Sequence, residues 1–203
     1  MGHSRASKAD SHARIVKLAA DAFRARGVES ISVAELMKRA GLTHGGFYRH
    51  FSSREALVAE AVELALREGG AAVDAVAAQP HATIGALVDA YLSVAHRDGV
   101  RSSCAVTALA ADVARGGARA RAAYTAQVHT YVRIIERLLG SRRRARRRGR
   151  ALAALATLVG AVSMSRAVDD DRFSRQILAA AAADLDERLS ATRPRRPFPR
   201  APG

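Results

Sequence analysis

Residues 32–57 read SVAELMKRAGLTHGGFYRHFSSREAL, two short helices around a tight turn followed by the start of a third. Ser32 and Glu35 have the S-x-x-E spacing of a capping box, so a helix starts at Val33. Leu36, Met37 and Ala40 share one face of it, and Gly41 supplies the left-handed position through which the chain leaves. Leu42 plugs the corner. Thr43 then caps a second short helix whose buried face is Phe47 and Phe51, leaving Thr43, His44, Gly45, Gly46, Tyr48 and Arg49 outside. Two adjacent glycines at a helix start cost about 1 kcal/mol each relative to alanine. Helix stability does not select them; room for close approach of another backbone does. A second capping box, Ser52 with Glu55, opens the next helix, which runs through Leu57, Ala61, Leu64 and Ala65 to about Gly69 or a little beyond. A helix-turn-helix of this shape enters the major groove of duplex DNA with its second helix.

The stretch from Ala13 to Leu57 resembles the N-terminal domain of TetR-family transcriptional regulators. The likeness rests on A-x-x-x-F-x-x-x-G at Ala19, Phe23 and Gly27, on the helix-turn-helix, and on G-x-[FY]-Y-x-H-F-x-S-[KR] from Gly45 to Arg54. It implies an all-α homodimeric repressor, with an N-terminal three-helix DNA-binding domain and a C-terminal helical domain for effector binding and dimerisation. By the same resemblance Tyr48 and His50 contact DNA phosphates, and Arg54 stands where the family usually has Lys. A guanidinium keeps the charge and adds a fork able to hold a phosphate by two donors. Ala34, Thr43, His44, Gly45 and Gly46 match the family's base-reading positions. Glycines present no side chain to a base edge, so sequence reading falls to Thr43 and His44, with apolar contact from Ala34. Together with Ser32 these form the candidate DNA-binding set.

Charge agrees with this division. Ten basic residues stand against four acidic ones in 1–54, eight against nine in 55–140, and fifteen against six in 141–203. The basic N-terminal part suits a phosphate-facing module, since neutralised phosphates release counterions. A boundary near residue 55 separates the DNA-binding domain, 1–54, from the helical domain, 55–190; a Pro-rich tail, 191–203, should be disordered. The chain has no signal-peptide-like start and no apolar run of about 20 residues, so a cytoplasmic protein without membrane contact is expected. One cysteine, Cys104, excludes an internal disulfide framework.

The remainder reads as helices. The first, from about Asp10 to Arg26, buries Ile15, Leu18, Ala19, Ala22 and Phe23 and ends at Gly27. A break falls at Gln79 and Pro80, and a long helix spans about Ala118 to Leu139 with an apolar stripe at Tyr124, Val128, Tyr131 and Ile135. Such a stripe is core, yet its tyrosines with Tyr91, His96, Cys104, His129 and Met164 are the candidate lining of a pocket for a small-molecule effector. The last two helices, about 150–189, are rich in Ala and Leu, and their apolar surface needs a partner. Dimerisation supplies one, and a two-fold dimer reads a palindromic operator with half-sites about 34–36 Å apart.

Three features invite other readings. The run Arg142–Arg150 is expected to be a solvated connector with some affinity for polyanions. Asp169, Asp170 and Asp171 read as helix N-terminal caps and not as metal ligands. Cys104, at a helix N-terminus with Arg97 and Arg101 nearby in sequence, opens an alternative, a repressor that senses electrophiles or oxidants; the opposing reading is an inert buried thiol. A basic, sequence-tolerant nucleoid protein is the other DNA-binding alternative. Enzyme chemistry lacks a starting point, because no phosphate loop, H-E-x-x-H, metal-ligand spacing or nucleophile elbow is present, and no cofactor is implied.

Overall fold

The computed structural model describes residues 5–99, 104–140 and 144–190. The expected disordered tail, Arg101, Arg142 and Arg143 lie outside them. Regular structure among the described residues is helical throughout. Helix α1, Arg5–Arg26, begins earlier than its apolar pattern required and ends where Gly27 takes φ +85°. Helix α2, Val33–Arg39, starts at Ser32, whose hydroxyl accepts from the Glu35 amide at 3.1 Å. Only half of the capping box forms, because the Glu35 carboxylate turns instead to Arg39 Nε, 2.9 Å away. Gly41 at φ +73° reverses the chain, and the Leu42 amide closes onto the Met37 carbonyl at 2.9 Å.

The second short helix is a six-residue 3₁₀ segment, His44–Arg49, and Thr43 makes no side-chain cap to it. Gly45 and Gly46 give an α-helix no help, and a segment this short settles for i→i+3 bonds. Phe47 and Phe51 anchor it from below, their rings stacked 5.4 Å apart. Helix α3, Arg54–Ala77, is capped by Ser53 and not by Ser52; the Ser53 hydroxyl accepts from the Ala56 amide at 3.0 Å. Both serines precede the helix, but buried Phe51 fixes the chain so that Ser53 is its last extended residue.

Beyond α3 come α4 (Ile84–Tyr91), α5 (Val94–Asp98), α6 (Ala105–Ala108), α7 (Ala110–Arg115), α8 (Ala118–Leu138), α9 (Arg144–Ala167) and α10 (Asp171–Ser190). Helices α3 and α8 run side by side in the same direction. Glu63 pairs with Arg119 through two bonds of 2.7 and 2.8 Å, and further along Gln127 lies against Gly70 so closely that a Cβ there would fall 2.7 Å from its amide. The apolar core is continuous from Ile15 to Leu189, so α3 belongs to both halves. Helix α9 overturns the connector reading of the arginine run from Arg144 onward, since those arginines form its first two turns. The apolar sequence from Ala151 templates the helix, and the charged turns continue it backward. Asp170 caps α10, accepting from the Phe173 amide at 3.0 Å, while Asp171 pairs with Arg97 and Arg175.

Candidate nucleic-acid interface

The helix-turn-helix presents Ser32, Ala34, Thr43, His44, Gly45, Tyr48 and Arg49 to solvent, with Gly46 half-buried beneath them. Tyr48 is 74% exposed and meets Phe47 edge-on at 5.3 Å between ring centres. An aromatic ring left in water beside buried phenylalanines is suited to contact something outside the fold. The two glycines point the same way. A Cβ on Gly45 would meet nothing within 4 Å, and one on Gly46 would make ordinary contacts of 3.7 Å with Met37 and Thr43. Neither glycine has a positive φ. The fold therefore requires no glycine at either position.

His50 sits half-buried at the end of this surface, with Nδ1 buried and lacking a partner among the described residues. Burial first, and then the positive neighbours His12, Lys8 and Arg49, hold its pKa below the usual histidine value. Below it His12 stacks on Phe51 at 4.5 Å and bonds to the Glu60 carboxylate at 2.6 Å, joining α1 to α3. Arg54, for which the resemblance implies a phosphate contact, also has partners within the protein. Its guanidinium donates to Glu29 at 2.9 Å and to the Val28 carbonyl at 3.1 Å, so it ties the start of α3 to the 3₁₀ turn, Val28–Ser30, that follows α1.

Sequence reading misses the contacts that link this surface to the rest of the chain. Arg24, only 5% exposed, donates to Asp21 and to Glu68 of α3, and Lys17 joins the same pair of carboxylates. Asp112 of α7 accepts from the Val28 amide at 3.3 Å. The Lys17–Asp21 spacing of four residues is readable on a helix; the partners 44 to 84 positions away are not.

The candidate effector residues divide. Tyr91, His96, Cys104, Tyr124 and Tyr131 converge in one polar cluster. The Tyr91 hydroxyl meets Thr107 Oγ1 at 2.7 Å, the Cys104 thiol donates to the Tyr131 hydroxyl at 3.5 Å, and Tyr124 donates to the Val106 carbonyl at 2.8 Å. His96 Nε2 accepts from the Cys104 amide, which leaves Nδ1 to donate to the Tyr91 carbonyl at 2.6 Å. That tautomer is neutral, and burial lowers the His96 pKa accordingly. Burial likewise drives the Tyr91 and Tyr131 hydroxyls far above ordinary phenols. The Gln127 amide nitrogen is buried there without a partner among the described residues. His129 is exposed on α8 and Met164 is 58% exposed on α9, so both leave the candidate lining. Their apolar spacing put them on helix faces that turn outward.

Cys104 is 4% exposed. Arg97, its expected cationic neighbour, bonds instead to Asp98, Asp171 and Ser174. A hollow of about 410 Å³ lies elsewhere, between α4 and α10, lined by Ile84, Val88 and Leu185 with Asp89 and Asp186. Among the described residues no helix is long and apolar enough to cross a membrane, and no cluster of His, Cys, Asp and Glu is gathered for a metal.

Residues 15–61 match the family "Bacterial regulatory proteins, tetR family". Over 53 residues, 26% of this chain, it is 42% identical to an uncharacterized HTH-type transcriptional regulator, YdgC, of Bacillus subtilis (strain 168), and the match spans 27% of that relative's length. The fold as a whole is similar to a TetR transcriptional regulator from Chloroflexus aurantiacus J-10-FL, with a TM-score of 0.75 at 23% identity, covering 91% of this chain and 96% of that one. It is also similar to E. coli NemR in its reduced form, with a TM-score of 0.71 at 18% identity over 88% and 96% of the two chains. At these identities the structural likeness is one of fold.

Proposed function

From the match of residues 15–61 to the tetR family of bacterial regulatory proteins and the likeness of the whole fold, we propose that this chain is a dimeric, ligand-responsive transcriptional repressor of the cytoplasm, acting by binding and not by catalysis. The observation that carries the reading is the exposed face from Thr43 to Tyr48, with two glycines the fold does not require. Tyr48 and His50 hold phosphate oxygens and fix register, Thr43 and His44 meet base edges, and Gly45 and Gly46 let the backbone come close. Ser32 and Ala34, exposed at the start of α2, flank this contact. Arg54 joins Tyr48 and His50 on the phosphates, and in the free protein it holds α3 to the Val28–Ser30 turn. His50 is neutral at pH 7 in the free protein, and an approaching phosphate favours its protonated form, so DNA binding strengthens as pH falls.

Dimerisation through α9 and α10 is supported by their outer surface. Of four large apolar side chains exposed among the described residues, Leu152, Met164 and Phe173 are there. A two-fold pairing of that surface sets the two reading heads on a palindromic operator. The effector is a small molecule with polar groups able to replace the bonds among Tyr91, Thr107, Cys104 and Tyr131. Opening that cluster moves α6 and α8, and through Glu63–Arg119 and Asp112–Val28 the movement reaches α3 and α1. A coupling of about 1–3 kcal/mol between sites is typical of such allostery.

The test is a fluorescence-anisotropy titration of the full chain against the DNA upstream of its own gene and a scrambled duplex, at near-physiological salt. A preference of at least about 10³-fold establishes a specific regulator. Equal affinity for both, and for every sequence selected from the genome, replaces it with the nucleoid-type reading.

A further inference from the structure

The second basic region of the chain is not part of the reading head. Seven arginines fall between 142 and 150, and the sequence has no Asp or Glu between Glu136 and Asp169. Arg144, Arg146, Arg147, Arg148 and Arg150 belong to the first two turns of α9, with no acidic residue in the first turn. Cations there repel one another and oppose the positive end of the helix dipole. An anion bound at this end would relieve both.

Its position follows from the register of α3 and α8. Residue numbers rise together along the two helices, from Glu63 beside Arg119 to Gly70 beside Gln127, so α8 points away from the reading head. The 21 residues of α8 carry the chain about 30 Å at 1.5 Å per residue, and α9 begins just beyond. At about 0.1 M salt charges are screened over about 10 Å, so these arginines do not serve the duplex under the helix-turn-helix. Arg147 roots the run by donating to the Gly140 carbonyl at 3.0 Å, and its buried Nε has no partner among the described residues. Arg150 donates to the Arg188 carbonyl of α10. Arg146 and Arg148 stand exposed, and among the described residues neither has a carboxylate partner.

The chemistry selects phosphodiesters. The run is all arginine and no lysine, which suits bidentate holding of phosphate. Between the arginines stand only Ala145 and Gly149, so there is no apolar side chain to enter a lipid layer. We propose that the arginine-rich end of α9 is a second nucleic-acid surface, which takes the phosphate backbone of a duplex other than the one read by the helix-turn-helix. One protein molecule then bridges two DNA segments. The proposal adds to the reading-head assignment and is separable from it by experiment.

The experiment holds one duplex on beads and offers a second, fluorescent duplex in solution to the full chain, to an Arg144→Gln/Arg146→Gln/Arg148→Gln variant and to a His44→Ala/Tyr48→Ala variant. Wild type brings the fluorescent duplex to the beads. The triple variant loses that capture by tenfold or more, keeps its single-duplex affinity within twofold and keeps its helix content by circular dichroism. Its capture, where measurable, has a salt slope lower by about 3, one phosphate for each arginine. Unchanged capture by the triple variant, no capture by wild type, or preference of the same arginines for phosphatidylglycerol vesicles over duplex overturns the proposal. If the His44/Tyr48 variant binds the bead duplex as tightly as wild type while the triple variant does not, the reading-head assignment fails and the bridging falls with it, leaving the arginine end as a nucleic-acid surface of its own.

Discussion

The proposed reading head and the polar cluster of the C-terminal half treat their candidate functional side chains in opposite ways. In the head, Thr43, His44 and Tyr48 are exposed, and Gly45 borders empty space. In the cluster, Tyr91, Thr107, Cys104, His96, Tyr124 and Tyr131 all find partners within the protein. A partner as large and stiff as a duplex needs a finished surface, held from beneath by Phe47 and Phe51. Under the proposed reading, a small ligand enters by exchanging its own polar groups for bonds the protein already makes, and that exchange converts binding into motion.

The largest effect expected is from Phe47→Ala. Removing a fully buried aromatic costs about 3–5 kcal/mol, and because one core runs from Ile15 to Leu189 the whole chain should melt earlier in a single transition. Two separated transitions in calorimetry would break the comparison, since head and cluster would then be independent bodies. Next is Tyr91→Phe, which leaves the buried Thr107 hydroxyl without its partner. A loss of about 1–3 kcal/mol in urea unfolding is expected, together with a shifted effector response; no change in either would mean the cluster is not a closed bonded unit.

Gly45→Ala sharpens the other side of the contrast. The fold has room for the methyl group, so stability should hold or rise by up to about 1 kcal/mol, while affinity for the operator falls at least tenfold in anisotropy. Retained affinity would remove the reason for the glycine. The smallest effect concerns pH. His96 is neutral and buried with its pKa lowered, so the unfolded chain binds its proton more readily. Its stability contribution is complete above the unfolded value near 6.5 and declines as pH falls below it. Urea midpoints at pH 7 and pH 5 should differ less in His96→Gln than in wild type.

Much of the head is legible from the chain. Ser32, Gly41, Phe47 and Phe51 are decided by local rules, caps, left-handed turns and helical spacing, and they fall where those rules put them. Ser52 and Ser53 are indistinguishable to such rules, and tertiary anchoring of Phe51 chooses between them. The arginine run looks like a loop because its local charge disfavours a helix, which the apolar turns downstream impose. In the second half, spacing identifies Tyr91, Tyr124 and Tyr131 as inward-facing but cannot say that their hydroxyls are already taken, because Thr107 and the Val106 carbonyl arrive on other helices. His129 and Met164 show the same limit from the opposite side.

The bond from Asp112 to the Val28 amide has a consequence for how such proteins are built and rebuilt. The amide that opens the 3₁₀ turn after the first helix is answered by a carboxylate 84 residues away, in the other half of the chain. A head grafted onto a foreign body would arrive with that amide unanswered and the turn after its first helix loosened. Chimeras joined at residue 55 should therefore work only when the recipient offers an acceptor at the same place. Exchange of reading heads between relatives is in this sense a matter of matching one oxygen atom.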